Sequence, residues 1–272
     1  VPAPSDHTGE LDGLPLFWRA ADAPAGDAVP LYLHGVPSNS DEWLPMLERT
    51  GGVAPDLPGF GRSGKPGSLT YTMDEYDRFI ERFLDMLGIE RVRLLVHDWG
   101  GVGLLFAQRL RRRVERIAIV NAVPLLPGYR WHRTARLWRT PGIGELVMGA
   151  TTPFTLRQIS REANVTPGPM PAEWQRSVID HLDQGTQRAI LRLYRSSPPE
   201  ALAQAGAHLG ELDMPALVAW GTRDPYIPAR FGRAYAQALP RAELLELADA
   251  GHWPWLDRPD LLDTLEHFMS DG

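Results

Sequence analysis

The chain has 272 residues, 43% of them hydrophobic, a formal net charge of −6 and no cysteine. That length and apolar content suit one large α/β domain carrying an insertion. The acidic balance argues against a nucleic-acid surface, and the lack of cysteine removes disulfides, thiolate catalysis and cysteine-ligated zinc.

In chain order, apolar runs of strand length recur at Leu14 to Trp18, Val29 to Leu33, Val53 to Pro55, Val92 to Val96, Ile117 to Val120, Ala216 to Trp220 and Leu244 to Leu247. Helical-period stretches fall between them, at Asp41 to Leu47, Met73 to Leu87, Gly103 to Arg113, Phe231 to Ala238 and Leu261 to Met269. This alternation predicts a mostly parallel, twisted sheet with helices on both faces. It stops from about Pro124 to Leu209, where Trp131, Trp138, Trp174, Tyr129 and Tyr194 mix with Pro127, Pro141, Pro153, Pro167, Pro169 and Pro171. The expectation is a helical cap over residues 124–209, set into a core of residues 1–123 and 210–272. Such a cap would leave the sheet's carboxyl edge, where open α/β sheets bind ligands.

The basic run Arg109 to Arg113 falls at the end of a predicted helix, where cations offset the helix dipole. Val1 to Glu10 lacks the charged and apolar regions of a signal peptide, and no run approaches the ~20 apolar residues of a membrane helix. The expectation is a soluble cytoplasmic protein without membrane or nucleic-acid partners. Gly59, Gly61 and Gly64 satisfy G-x-G-x-x-G, but Lys65-Pro66-Gly67 follows where a dinucleotide fold would open a helix. Those glycines are expected to shape a loop after a strand. His97 and Asp98 are adjacent and the other histidines are scattered, so no metal spacing is found and neither metal nor cofactor is expected.

Val96-His97-Asp98-Trp99-Gly100-Gly101 directly follows the run at Val92, which puts a carboxylate at a sharp strand-to-helix turn. An aspartate there could merely cap the following helix. Gly100, Gly101 and Gly103, however, leave room for a helix close against the strand and for a substrate near backbone N–H groups. Asp98 is therefore the candidate nucleophile. A carboxylate is already ionised near neutral pH, and its attack on an acyl carbon would give a high-energy anhydride. Attack on a saturated carbon bearing a strained oxygen or a halogen gives an ordinary ester instead. Water must then open that ester at the Asp98 carboxyl carbon, which requires a histidine base and an orienting acid. Asp224, in Gly-Thr-Arg-Asp-Pro, and His252, in Ala-Gly-His-Trp-Pro, follow later strands in the order nucleophile, acid, histidine. The backbone N–H groups of Val36 and Trp99 are the candidate oxyanion donors, and Pro37 suggests an unusual peptide geometry beside Val36.

With His34-Gly35-Val36-Pro37 and Trp43, Asp56-Leu57-Pro58-Gly59-Phe60-Gly61-Arg62-Ser63, His97-Asp98-Trp99-Gly100-Gly101, Gly221-Thr222-Arg223-Asp224 and Gly251-His252-Trp253, the chain resembles the α/β-hydrolase superfamily. Within it the resemblance is to the aspartate-nucleophile branch of epoxide hydrolases and haloalkane dehalogenases. Relatives of the epoxide-hydrolase kind protonate the leaving oxygen from cap tyrosines, a role the resemblance gives to Tyr194. Around Val147 to Gln158, where a second cap tyrosine would be sought, stands Phe154. Dehalogenases of the family often pair the Trp after the nucleophile with an Asn where this chain has Val36, and Val36 has no side-chain donor; a cap tryptophan such as Trp131, Trp138 or Trp174 keeps that reading open. The first expectation is thus an epoxide hydrolase using Asp98, His252, Asp224 and Tyr194, the second a haloalkane dehalogenase, the third a non-catalytic small-molecule binding protein. Trp131, Trp138, Phe154, Trp174 and Trp253 are the expected pocket wall. So apolar a lid implies a hydrophobic small substrate, with burial worth about 25 cal/mol per Å².

Overall fold

The structure is a computed structural model that describes residues 3–23, 26, 28–165 and 170–270. Pro167 and Pro169 of the expected insertion, and Val1 and Pro2 of the N-terminal segment, lie outside the described residues. Eight strands form one sheet: β1 Ser5–Leu11, β2 Leu14–Ala21, β3 Val29–Leu33, β4 Gly52–Pro55, β5 Val92–His97, β6 Val114–Val120, β7 Ala216–Gly221 and β8 Ala242–Leu247. Their order is β1-β2-β4-β3-β5-β6-β7-β8. The β1–β2 and β2–β4 pairs are antiparallel, and the rest of the sheet is parallel.

Seven of these strands follow the apolar runs of the sequence, but β1 does not. Its residues, Ser-Asp-His-Thr-Gly-Glu-Leu, are almost all exposed and carry no alternation. It exists because Asp12 and Gly13 both take positive φ, 52° and 79°, a turn that suits a two-residue hairpin and sets β1 in full register against β2.

Around the sheet lie α1 Leu44–Thr50, α2 Met73–Met86, α3 Gly103–Arg109, α4 Arg133–Arg139, α5 Ile143–Gly149, α6 Pro153–Ile159, α7 Ala172–His181, α8 Gln184–Ser196, α9 Pro199–Ala205, α10 Arg230–Ala238, α11 Pro254–Asp257 and α12 Leu261–Ser270. Successive strand residues divide between two buried clusters, as the period of two requires. Leu94, Val96, Ile117 and Ile119 pack with residues of α2, α3 and α10, while Leu95, Ala118 and Val120 pack with residues of α1 and α12. Helices therefore cover both faces.

The helix expected from Gly103 to Arg113 ends at Arg109, and Arg111–Arg113 form a 3-10 turn. The basic run is held by ion pairs: Arg109 with Asp77 and Glu81, Arg111 with Glu211, and Arg113 with Asp85. Between β6 and β7 the described residues form six α-helices, α4 to α9, and two short 3-10 turns. Among the described residues no helix is long and apolar enough to cross a membrane.

Candidate active site

The parallel strands deliver their carboxyl ends to one edge, and the sequence-expected residues meet there. Asp98 directly follows β5 with φ 47°, a left-handed conformation that costs a non-glycine residue of order 1 kcal/mol or more. Two close approaches hold it there. A Cβ on Gly35 would lie 2.6 Å from the Asp98 Cβ, and one on Gly100 would lie 2.1 Å from the carbonyl oxygen of Leu33. The glycines thus let the segments after β3 and β5 crowd around a residue that is only 5% exposed.

One Asp98 oxygen, Oδ2, accepts the Val36 N–H at 2.8 Å. Of the two expected oxyanion donors, the Val36 N–H bonds the Asp98 carboxylate, and the Trp99 N–H favours its charged form. The Val36–Pro37 peptide beside them is cis. Burial raises the Asp98 carboxyl above its ordinary value; the His252 and His97 rings and the two N–H groups oppose this without cancelling it.

His252 is buried, its Nδ1 2.7 Å from Asp224 Oδ2 and its Nε2 3.8 Å from Asp98 Oδ1. The carboxylate fixes the proton on Nδ1 and leaves Nε2 to face Asp98. Burial works to lower His252, but Asp224 and then Asp98 outweigh it and raise the imidazole. Asp224 goes the other way: burial works to raise it, yet the His252 ring and hydrogen bonds from His252, Asn121 and Ile227 hold it below its ordinary value. Its Oδ1 accepts the Tyr226 and Ile227 N–H groups at 2.7 and 3.0 Å, and its Oδ2 accepts Asn121 Nδ2 at 2.7 Å.

Asn121 and Glu42 escape sequence reasoning. Asn121 follows β6 and clamps Gly221 through its N–H at 2.8 Å, besides bonding Asp224; its only sequence signal is a place at the end of the strand between those carrying Asp98 and Asp224. Glu42 is a buried carboxylate whose Oε1 lies 2.9 Å from His97 Nδ1 and whose Oε2 accepts from Ser38 Oγ and, at 3.4 Å, from Trp253 Nε1. His97 Nε2 meets the His252 carbonyl at 2.9 Å. Both His97 nitrogens face acceptors, the Glu42 carboxylate and the His252 carbonyl. Burial works to raise Glu42, but His97 and Ser38 hold it low. Through these bonds Glu42 ties together the loop after β3, the end of β5 and the loop after β8.

Above Asp98 and His252 opens a largely apolar cavity, and Val36, Trp131, Trp138, Trp174, Tyr194 and Trp253 lie in its wall. Phe154 does not. It is 70% exposed, whereas Leu156, 8% exposed, faces the cavity. Two residues apart on α6 means about 200° round the helix, so only one of the pair can face inward, and the pocket role expected of Phe154 is corrected on that ground.

Tyr194, on α8, packs among the rings of Trp99, Trp131 and Trp138, with centroids 5.2, 4.8 and 5.0 Å away. Burial pushes its phenol well above its ordinary value, the Asp98 charge adds to this, and the Trp99 indole opposes it. The Trp99 ring is buried, and among the described residues its N–H has no partner of hydrogen-bond geometry. Trp131, in contrast, donates its N–H to the Ser197 carbonyl at 3.0 Å. Tyr129, Tyr226 and His132 also line the cavity. Among the described residues no cluster of three or more His, Asp or Glu could hold a metal ion.

The profile of the alpha/beta hydrolase family matches residues 31–263. A cis-3-alkyl-4-alkyloxetan-2-one decarboxylase of Xanthomonas campestris pv. campestris is 29% identical over 89% of this chain and 87% of its own length. A haloalkane dehalogenase of Bradyrhizobium diazoefficiens is 28% identical over 89% of this chain and 86% of its own. The solved structure of the epoxide hydrolase CorEH superposes with a TM-score of 0.82 over 97% of this chain and 98% of that one; at 20% identity the likeness speaks to the fold alone.

Proposed function

Because the chain belongs to the alpha/beta hydrolase family, we propose that it is an epoxide hydrolase working through an ester on Asp98, with residues 124–209 as its lid. The observation that carries this reading is the Tyr194 phenol, held in the cavity wall within the field of Asp98, where a leaving oxygen would need a proton.

Asp98 Oδ1, the oxygen not held by Val36, attacks an epoxide carbon. The ring C–O bond breaks toward oxygen, which takes the Tyr194 proton. His252 Nε2 then accepts a proton from water as the water oxygen bonds the Asp98 Cγ. The negative charge falls on Oδ2, the oxygen that accepts the Val36 N–H, with the Trp99 N–H as the second donor of the proposed step. Collapse breaks the ester, the departing alkoxide takes the proton from His252, and the proton left on the new Asp98 carboxyl returns to the Tyr194 phenolate. The sum is epoxide plus water giving a vicinal diol.

A second reading, haloalkane dehalogenase, draws on the buried and unpartnered Trp99 N–H, which suits a departing halide, and on the dehalogenase relative. Against it, Val36 lacks a side-chain donor and the Trp131 N–H is committed to Ser197. The test is to expose His252→Ala separately to an aryl epoxide, a bromoalkane and an oxetan-2-one and weigh the peptide holding Asp98. An adduct of epoxide mass supports the first reading, and an alkyl adduct with bromide release replaces it with the second. An adduct from the oxetan-2-one alone turns the assignment toward the decarboxylase relative, and no adduct from any of them favours a binding protein.

A further inference from the structure

We propose that His132 is a hydrogen-bond donor in the cavity wall and, resting on the epoxide reading, that the favoured substrate carries an acceptor oxygen, a carbonyl or hydroxyl, on the part that does not react. His132 stands at the start of α4, where its Nδ1 accepts the Ala135 N–H at 3.4 Å. That contact spends the lone pair of Nδ1 on the helix terminus and places the ring proton on Nε2. The ring lines the cavity, and Nε2 makes no hydrogen bond to the described residues. Burial, assisted by His252, pushes the imidazole down to about 4, so at neutral pH the group is an uncharged N–H donor.

Its neighbours fix where the acceptor must lie. The His132 ring is 5.0 Å from the Tyr226 ring, which in turn stands perpendicular to His252 at 5.0 Å. The acceptor therefore meets the protein one aromatic ring beyond the base, on the tail of the substrate. Of the other polar groups in the wall, Thr151 and Trp131 already donate to the carbonyls of Val147 and Ser197, while the Trp174 N–H, which has no partner among the described residues, packs against Trp253. A purely hydrocarbon tail would cover the Nε2 proton and leave it unpaired, whereas an acceptor restores the bond lost to water. A neutral donor of this kind discriminates by about tenfold, the worth of one ordinary hydrogen bond.

The test compares two epoxides of matched length, one with a ketone in the tail and one with a methylene in its place. Three proteins are used: the unaltered chain, His132→Ser, which keeps a capping oxygen but falls short of the ligand, and His132→Phe, which keeps the ring. The unaltered chain should favour the ketone, and both variants should lose about tenfold of that preference, chiefly in KM. A ketone-to-methylene ratio that is the same in all three proteins overturns the proposal. An unreactive aryl alkyl ketone and its methylene analogue, followed by quenching of cavity tryptophans, give the same comparison as Kd values. Failure of both epoxides to turn over therefore counts against the epoxide reading, while the Kd ratio still decides His132.

Discussion

The sheet edge and the helical wall above it are held in opposite ways. At the edge, the carboxylates around the histidines are bound by several directed bonds: Asp224 by His252, Asn121 and two backbone N–H groups, and Glu42 by His97, Ser38 and Trp253. In the wall, Tyr194 is surrounded by aromatic rings, and the indole N–H of Trp174 is buried with no partner among the described residues. Directed bonds fix an angle and a proton, as a reaction centre needs; ring packing fixes a volume, as substrate choice needs. Changes at the edge should thus alter rate by orders of magnitude, and changes in the wall should alter selection.

The largest effect is expected at the elbow. Asp98→Asn removes the nucleophile while keeping a residue that tolerates positive φ, so turnover should fall by ~10⁴-fold with the melting temperature held or raised. A variant that keeps even a tenth of the activity would disqualify Asp98. Next comes the one wall residue with a chemical task. Tyr194→Phe should slow epoxide opening by about 10²-fold, the usual worth of a positioned acid, with formation of the Asp98 ester as the impaired step. Unimpaired epoxide turnover, measured by diol release, would remove Tyr194 from the reaction.

The pH profile tests how the edge is wired. Asp98 must be ionised to attack, and burial raises its carboxyl, so kcat/KM should fall on the acid side at a pH above the ordinary aspartate value. His252 must be neutral to accept a proton from water, and part of what raises it is the Asp98 charge. Esterification removes that charge, so hydrolysis of the ester should persist to lower pH than titration of His252 in the free enzyme implies. Single-turnover hydrolysis rates against pH, set beside the imidazole titration followed by NMR, check the direction.

The contrast also explains what was legible in the sequence. Asp98, Asp224 and His252 could be singled out because each follows an apolar strand run and keeps close company with glycine or proline. The central strands β3, β5, β6 and β7 could be read because burial on both faces makes them nearly continuously apolar; β1, solvated and paired on one side, has only its Asp12-Gly13 turn to mark it. Glu42 and Asn121 are defined by partners 55 and 103 residues away, which local pattern does not encode. Phe154 failed for a subtler reason: aromatic content located the wall, but the rotation of a seven-residue helix, α6, decided which side chain entered it.

Glu42→Gln probes the middle of the range. The amide is nearly isosteric but loses the carboxylate charge that faces His97 Nδ1, so the ring and its contact with the His252 carbonyl should be held less firmly. We expect kcat to fall about tenfold with KM little changed, since a displaced base weakens hydrolysis of the ester more than substrate binding. A rise in KM alone would place Glu42 in binding rather than in positioning.

The smallest effect is expected where the sequence pointed and the structure did not follow. Phe154→Ser takes an exposed aromatic from the outer face of α6, leaving Leu156 in the cavity. Surface changes of this kind stay within about 0.5 kcal/mol, so kcat and KM should each remain within about twofold, with the melting temperature nearly unchanged. Leu156→Ser, two residues on, exchanges cavity wall for a hydroxyl and should raise KM for an apolar epoxide several-fold, by roughly the burial free energy of the lost hydrocarbon. Equal effects of the two substitutions would mean that α6 is rotated relative to the structure described, and that the wall is drawn from its other face.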